Sequence, residues 1–444
     1  MIPKNKTTRL YLFLGILLLS SMLVSCTGAG ATTSWPGVTV DLERETIYLA
    51  NGPHVYAVDM NEGLEKWRFP DKAANNISFY AAPALTEEGH LIVSGYDNLL
   101  YGLNPAEFEP ANQTFLDVRS TSVEQAKTEG LEKLQLTEAD VIVEVKEQGS
   151  AGFLGFGSSL SCVRLTIKDV EDSEAAAGAD DSPCDPTKWA FVGAKNRFVA
   201  APLVAHGLIF APNADNNLYT LNLSGNLRWQ YEVDHTLWSK PTVNGKTVYI
   251  SSMDHHVYAI DIETGDLLWK SEDLGGAIAG DPTLGPDGVL YVGTLGSNMV
   301  ALDTASGSVL WRFTADGWVW SGPTLEGEVL YFGDLSGNFY AISTADGQPI
   351  WPSVKPDAGD SAAISDKPLL VGDTLYLVTQ SGKLYAIKKE SGATRWSKDI
   401  DEKATLYGSP VLAGELIVVA PLGAEAMLYA FDIEGSPRWQ FTPQ

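Results

Sequence analysis

Few residue types in this chain are placed where they could do chemistry. Two of its six histidines stand together in Asp254-His255-His256, a trio that would need a further ligand to hold a metal ion. Cys162 and Cys184 could form one disulfide in an oxidising compartment or stay as free thiols, and Cys26 stands apart near the start. No Cys-Cys pair occurs, no serine or cysteine has histidine and aspartate partners at a recognisable spacing, and no carboxylate can be nominated for acid–base work. The sequence therefore offers no catalytic residue, no metal site and no cofactor. Binding chemistry is better represented. Trp238 and Trp320 each lie three residues before a proline, as do Tyr80 and Tyr407, and aromatics in such loops could hold a peptide segment or a glycan.

The elements that must position these residues form a repeat. Val55-Tyr56-Ala57-Val58-Asp59 leads to a glycine and then Trp67, and Val257-Tyr258-Ala259-Ile260-Asp261 leads in the same way to Trp269. The frame recurs at Trp229, Trp311, Trp351, Trp396 and Trp439, and from Trp229 onward the spacings are 40, 42, 40, 45 and 43 residues. That period accommodates four short strands, the content of one propeller blade. A further unit opens at Leu100-Tyr101-Gly102-Leu103-Asn104 and closes only at Trp189, which is itself 40 residues before Trp229 and so in phase. The count is eight.

Each unit also carries a proline upstream: Pro36, Pro83, Pro202, Pro241, Pro282, Pro323, Pro368 and Pro410. Proline at the start of a strand sacrifices no ladder hydrogen bond. Alternating apolar runs, glycines in the turn after the third strand and aspartates ahead of that turn predict four antiparallel strands per unit. The repeated tryptophans are expected to pack between neighbouring blades. Alignment of the units puts Asp254-His255-His256 opposite Asp215-Asn216-Asn217, in a hairpin turn, which explains the trio by turn chemistry rather than metal binding. The loops bearing Tyr80, Trp238, Trp320 and Tyr407 feed the innermost strands, so these rings are expected around one mouth of a central channel.

The segment Ala259 to Trp269 resembles the tryptophan-docking motif of pyrroloquinoline-quinone-type (PQQ-like) repeats, and the whole repeat is similar to the BamB type of outer-membrane assembly lipoprotein. The resemblance implies an all-β, eight-bladed propeller of four-stranded antiparallel blades acting as a non-catalytic protein-binding scaffold. Quinone-dependent dehydrogenases share this repeat, so a PQQ- or calcium-binding enzyme or sensor is the alternative, and a surface glycan binder another.

Blade two is interrupted. Within 106–168, Phe115 to Val118 suggests a strand, Thr121 with Glu124 a capping box, Val123, Ala126, Leu131 and Leu134 the apolar face of a helix, and Val141 to Val145 and Cys162 to Ile167 two more strands, giving an inserted βαββ domain. The run Gly152-Phe153-Leu154-Gly155-Phe156, with the preceding helix, resembles the amino-terminal domain of Jag proteins, which implies Phe153, Leu154 and Phe156 as contact residues; Ala151 stands where that family has lysine. Residues 169–186 are acidic and small and read as a return linker. The propeller thus comprises 35–105 and 187–444.

The start of the chain sets its expected address. Lys4, Lys6 and Arg9 precede an apolar stretch from Leu10 to Leu23, too short for a comfortable span, so 1–25 reads as a signal peptide. Leu23-Val24-Ser25-Cys26 resembles a lipoprotein lipobox, which implies lipidation of Cys26 and 26–34 as a tether; each buried methylene would contribute about 0.8 kcal/mol of anchoring. The expected location is extracytoplasmic: the outer membrane if the host has one, otherwise the outer face of the cytoplasmic membrane. A net charge of −26 repels phosphate backbones and excludes nucleic acid as a partner; envelope or membrane proteins remain.

Overall fold

The structure is a computed structural model, described here for residues 35–70, 73, 77–107, 115–120, 122–133, 141–147, 161–167, 189–356 and 362–443. Eight sheets follow one another along the chain, seven of four strands and one of seven, all with neighbouring strands consecutive except in blade two. This is the eight-bladed, all-β propeller that the repeat predicts. Blade 1 spans 37–69, blade 2 is built from 84–103 and 189–191, and blades 3 to 8 span 203–232, 242–270, 283–314, 324–354, 369–399 and 411–441.

Within a blade the burial pattern follows the period of two only at the outside. The second and third strands are buried on both faces: in blade 4, Val248, Tyr249, Ile250, Val257, Tyr258, Ala259 and Ile260 are nearly inaccessible. The fourth strand alternates, as in Val309–Thr314, where half-buried and exposed residues take turns. Middle strands are sandwiched between neighbouring blades, whereas the outer strand has a blade on one side and water on the other.

The tryptophans are the joints between blades. Trp229 donates its indole N–H to the carbonyl of Ile262 at 3.0 Å, Trp269 to Thr304 at 2.9 Å and Trp311 to Thr344 at 2.9 Å, each time in the next blade. The turn glycine of that next blade lies under the ring, so that a Cβ on Gly307 would stand 2.5 Å from Cε3 of Trp269. Trp439 of blade 8 does the same to blade 1, donating to Met60 at 3.1 Å over Gly63. Blades 1 and 8 are each continuous in sequence, so this side-chain joint, rather than a shared strand, closes the ring.

Blade two carries its interruption on its outer edge. The insertion contributes strands Phe115–Ser120, Val141–Glu147 and Ser161–Ile167 and helix Val123–Lys133. Phe115–Ser120 pairs parallel with the blade's outer strand through Ala190 and Val118, and the other two strands follow antiparallel. The blade therefore continues into the insertion as one seven-stranded sheet. Ala126 and Leu131 of the helix are buried in one cluster with Val141 and Val163, while Val123 is partly buried; Leu134 lies outside the described residues. Thr121, the expected cap, lies outside the described residues; at the start of the helix Ser122 Oγ accepts the N–H of Gln125 at 3.2 Å. Among the described residues no helix is long and apolar enough to cross a membrane.

Candidate functional site

Innermost strands are short, only Thr242–Asn244, Thr283–Leu284 and Thr324–Glu326 in blades 4 to 6, and the loops ahead of them enter the ring next to the central channel. These loops are tied blade to blade by side chains. Ser94 Oγ of blade 2 donates to the carbonyl of Ala200 ahead of blade 3 at 3.0 Å, and Ser365 Oγ ahead of blade 7 donates to that of Tyr407 ahead of blade 8 at 3.2 Å. Asp281 ahead of blade 5 accepts the N–H of Lys240 at 2.7 Å, and Asp366 ahead of blade 7 accepts the N–H groups of Lys367 at 2.7 Å and Ser409 at 2.8 Å. Inner strands this short leave loop carbonyls and amides without ladder partners; the two serines satisfy carbonyls and the two aspartates satisfy amides.

The four expected mouth aromatics separate into two groups. Trp238 and Trp320 meet, with ring centroids 6.5 Å apart and planes at 49°. They belong to blades 4 and 6, which are not neighbours; blade 5 lies between them and presents only Ala279 at the equivalent position, three residues before Pro282. The small residue of blade 5 leaves room for two rings from the blades on either side of it to meet. Tyr80 is 9 % exposed and packs edge-on against Tyr96 at 5.0 Å, with the Arg197 guanidinium over Tyr96 at 5.6 Å. Tyr407 is half-buried in the loop before blade 8.

One column of these loops carries charge, and sequence reasoning missed it. The residue just before the unit proline is Lys240 in blade 4, Asp281 in blade 5 and Lys367 in blade 7. Aligning that column would have found them, because the other units carry uncharged residues there. Burial pushes the Lys240 ammonium below the ordinary lysine value, opposed by the charge of Asp281 and reinforced by that of Lys367. Burial likewise pushes the Asp366 carboxyl up, against the pull of the Lys367 N–H and charge. Lys240 and Lys367 sit in the same column of the repeat, three blades apart.

Asp254-His255-His256 is a turn. Asp254 accepts hydrogen bonds from the Tyr258 hydroxyl and from the His256 N–H, and His255 adopts a φ of 75°. The two imidazoles face different partners: His255 Nδ1 is 3.3 Å from Asp273, and His256 Nδ1 is 2.9 Å from the carbonyl of Ser271. Among the described residues no group of three or more histidines, cysteines, aspartates and glutamates converges. Cys26, Phe153, Leu154, Phe156 and Cys184 lie outside the described residues, and the disulfide expectation falls there with them. Cys162 is placed only by its backbone, opposite Arg119 and Glu147 in the sheet.

Comparison with known proteins follows the two parts of this architecture. The family profile described as outer membrane protein assembly factor BamB matches residues 185–279 and 254–444, and the Jag N-terminus profile matches 118–167. Among solved structures, the computationally designed Ika8 protein superposes with a TM-score of 0.57 at 10% identity, covering 91% of this chain and 98% of that one, which is a likeness of fold. BamB from Moraxella catarrhalis gives a TM-score of 0.47 at 17% identity over 54% of this chain and 75% of that one. A stretch of 73 residues is 38% identical to the lanthanide-dependent methanol dehydrogenase of Methylacidiphilum fumariolicum (strain SolV), amounting to 16% of this chain and 12% of that enzyme's length.

Proposed function

Because the chain belongs to the family of the outer membrane protein assembly factor BamB, we propose that it is a non-catalytic, protein-binding scaffold of the cell envelope. The observation that carries this reading is the Trp238–Trp320 pair, two large half-buried rings that meet past the small residue of blade 5 and keep part of their surface exposed. Aromatic rings bury large area at low conformational cost, which suits them to hold a polypeptide segment. Anchoring is by lipid on Cys26, at the outer membrane or the outer face of the cytoplasmic membrane. The insertion is a Jag-like βαββ module that offers Phe153, Leu154 and Phe156 to a second partner, and its seat on the outer edge of blade 2 supports a role in holding that partner beside the propeller.

A photo-activated crosslinker placed at 238 or at 320, in native membranes, tests the reading. The expected result is crosslinking to an envelope or exported protein, lost when Trp238 and Trp320 are both replaced by alanine at an unchanged melting temperature. Absence of any protein adduct from either position counts against it.

A further inference from the structure

The outermost strand of a propeller blade has one open edge, and an open edge is a template for a further strand. Most blades here cover or guard that edge. Blade 2 is extended by Phe115–Ser120, which pairs with it in parallel through Val118 and Ala190. In blades 1, 3, 7 and 8 the residue before the tryptophan is an exposed cation, Lys66, Arg228, Arg395 or Arg438, which an added strand would have to bury or displace. Blade 6 has Ile350 there but carries Pro349 and Pro352 in the same strand, and proline offers no N–H to a ladder. Blades 4 and 5 have none of these devices. Blade 4 ends in only the four residues Leu267–Lys270, whereas blade 5 ends in the six residues Val309–Thr314, with no proline and with Leu310 52% exposed. Among the described residues no strand pairs with the outer edge of Val309–Thr314.

We infer that the outer edge of blade 5 is a strand-addition site, which takes an extended, basic segment of a partner polypeptide with apolar residues at alternate positions. The molecule already realises such an addition, because the corresponding edge of blade 2 accepts a strand beside Ala190, which follows Trp189 as Arg312 follows Trp311. Side chains of an added strand alternate between the two faces of the sheet, so every second one falls on the face of Leu310, where an apolar group removes both from water. The sign of the charge follows from the surroundings. Glu272 lies against this edge, its Oε1 2.8 Å from Nη2 of Arg312, and the side chains of Glu272 and Asp273 remain 64% and 63% exposed. The chain as a whole carries −26, which attracts a basic segment and repels a second copy of itself. This edge is a second binding surface and does not depend on the aromatic pair.

The probe is a peptide of lysine-valine-threonine-valine repeated twice, with a second version in which glutamate replaces lysine. Each is titrated into the full chain by fluorescence anisotropy, and amide hydrogen exchange locates the contact. The lysine peptide is expected to slow exchange in Val309–Thr314 and to bind about tenfold or more tighter than the glutamate peptide. Leu310→Arg, which restores the charge that other blades carry, should weaken the lysine peptide about tenfold by removing an apolar contact and adding a like charge, and Leu310→Ile should keep its affinity. No protection of Val309–Thr314, equal binding of the two peptides, or an affinity that survives Leu310→Arg overturns the inference. Protection of the same amides on raising the concentration of the chain alone would make the occupant a second copy and overturn it as well. Exchange in the native chain decides even if Leu310→Arg fails to fold. Crosslinks at 238 and 320 that persist while this edge stays unprotected would overturn this inference and leave the scaffold reading standing.

Discussion

At Gly307 two demands fall on one position. Its φ of 73° lies in the left-handed region, and the indole of Trp269 occupies the space where a Cβ would go. Gly307→Ala must therefore strain the turn and displace the ring, and a loss of about 1–3 kcal/mol is expected in denaturant unfolding. Gly245→Ala makes the control, because at a φ of 58° nothing lies within 4 Å of the new Cβ, so it should cost less. In the turn just ahead, Asp303 accepts the Ser306 hydroxyl at 2.7 Å and the N–H groups of Ser306 at 2.8 Å and Ala305 at 3.1 Å, and these bonds hold its carboxyl below the ordinary value. Asp261 is lowered in the same way by the N–H groups of Thr264 and Glu263. A carboxyl depressed in the folded state contributes stability that is present above its unfolded value. That contribution begins to fade below about pH 4 and is lost as pH falls through the lower folded value. Thermal melts between neutral and acid pH should show this decline, and Asp303→Asn together with Asp261→Asn should flatten it.

At the scale of the element, the interruption of blade two is the feature with the most to test. Leu100–Asn104 aligns with Val257–Asp261, and Trp189 aligns with Trp269 and pairs with Gly102 as Trp269 pairs with Ala259. The blade is thus complete without the insertion. Replacement of residues 105–188 by the turn of blade 4, residues 262–268, should give a chain that folds cooperatively at a somewhat lower melting temperature, since it keeps all four strands of the blade but loses the parallel partner of Trp189–Phe191 and the apolar cluster formed with Ala126, Leu131, Val141 and Val163. A chain that fails to fold would mean that the insertion is structurally required. The outer strands show a second regularity. The residue before the tryptophan is basic in Lys66, Lys188, Arg228, Arg395 and Arg438, but is Leu268, Leu310 and Ile350 in the three consecutive blades 4 to 6, exposed to 53%, 52% and 52%. Arginine at these three exposed positions should leave the melting temperature nearly unchanged, as is usual for surface substitutions.

The whole molecule is a ring closed by a side chain. Trp439 joins blade 8 to blade 1 with the same bond and the same glycine seat as Trp229, Trp269 and Trp311 at the internal joints. A circular permutant joined at the native ends and reopened in the loop between Glu232 and Thr242 is therefore expected to keep the native circular-dichroism spectrum and a single melting transition. Failure of such a chain to fold would show that closure depends on the order of the blades. The sequence by itself determined the blades: the period of the tryptophans, the turn glycines and the in-phase Trp189 are local signals, because a hairpin is specified by residues a few positions apart. It also placed Asp254-His255-His256 in a turn, and it located the helix of the insertion. What it could not supply is the lumen. Trp238 and Trp320 are 82 residues apart and belong to blades that are not consecutive. They lie on loops where the repeat constrains residue type least, so no periodicity marks them. Ring closure alone decides which loops face one another, and it brought Trp238 to Trp320 while leaving Tyr80 packed against Tyr96.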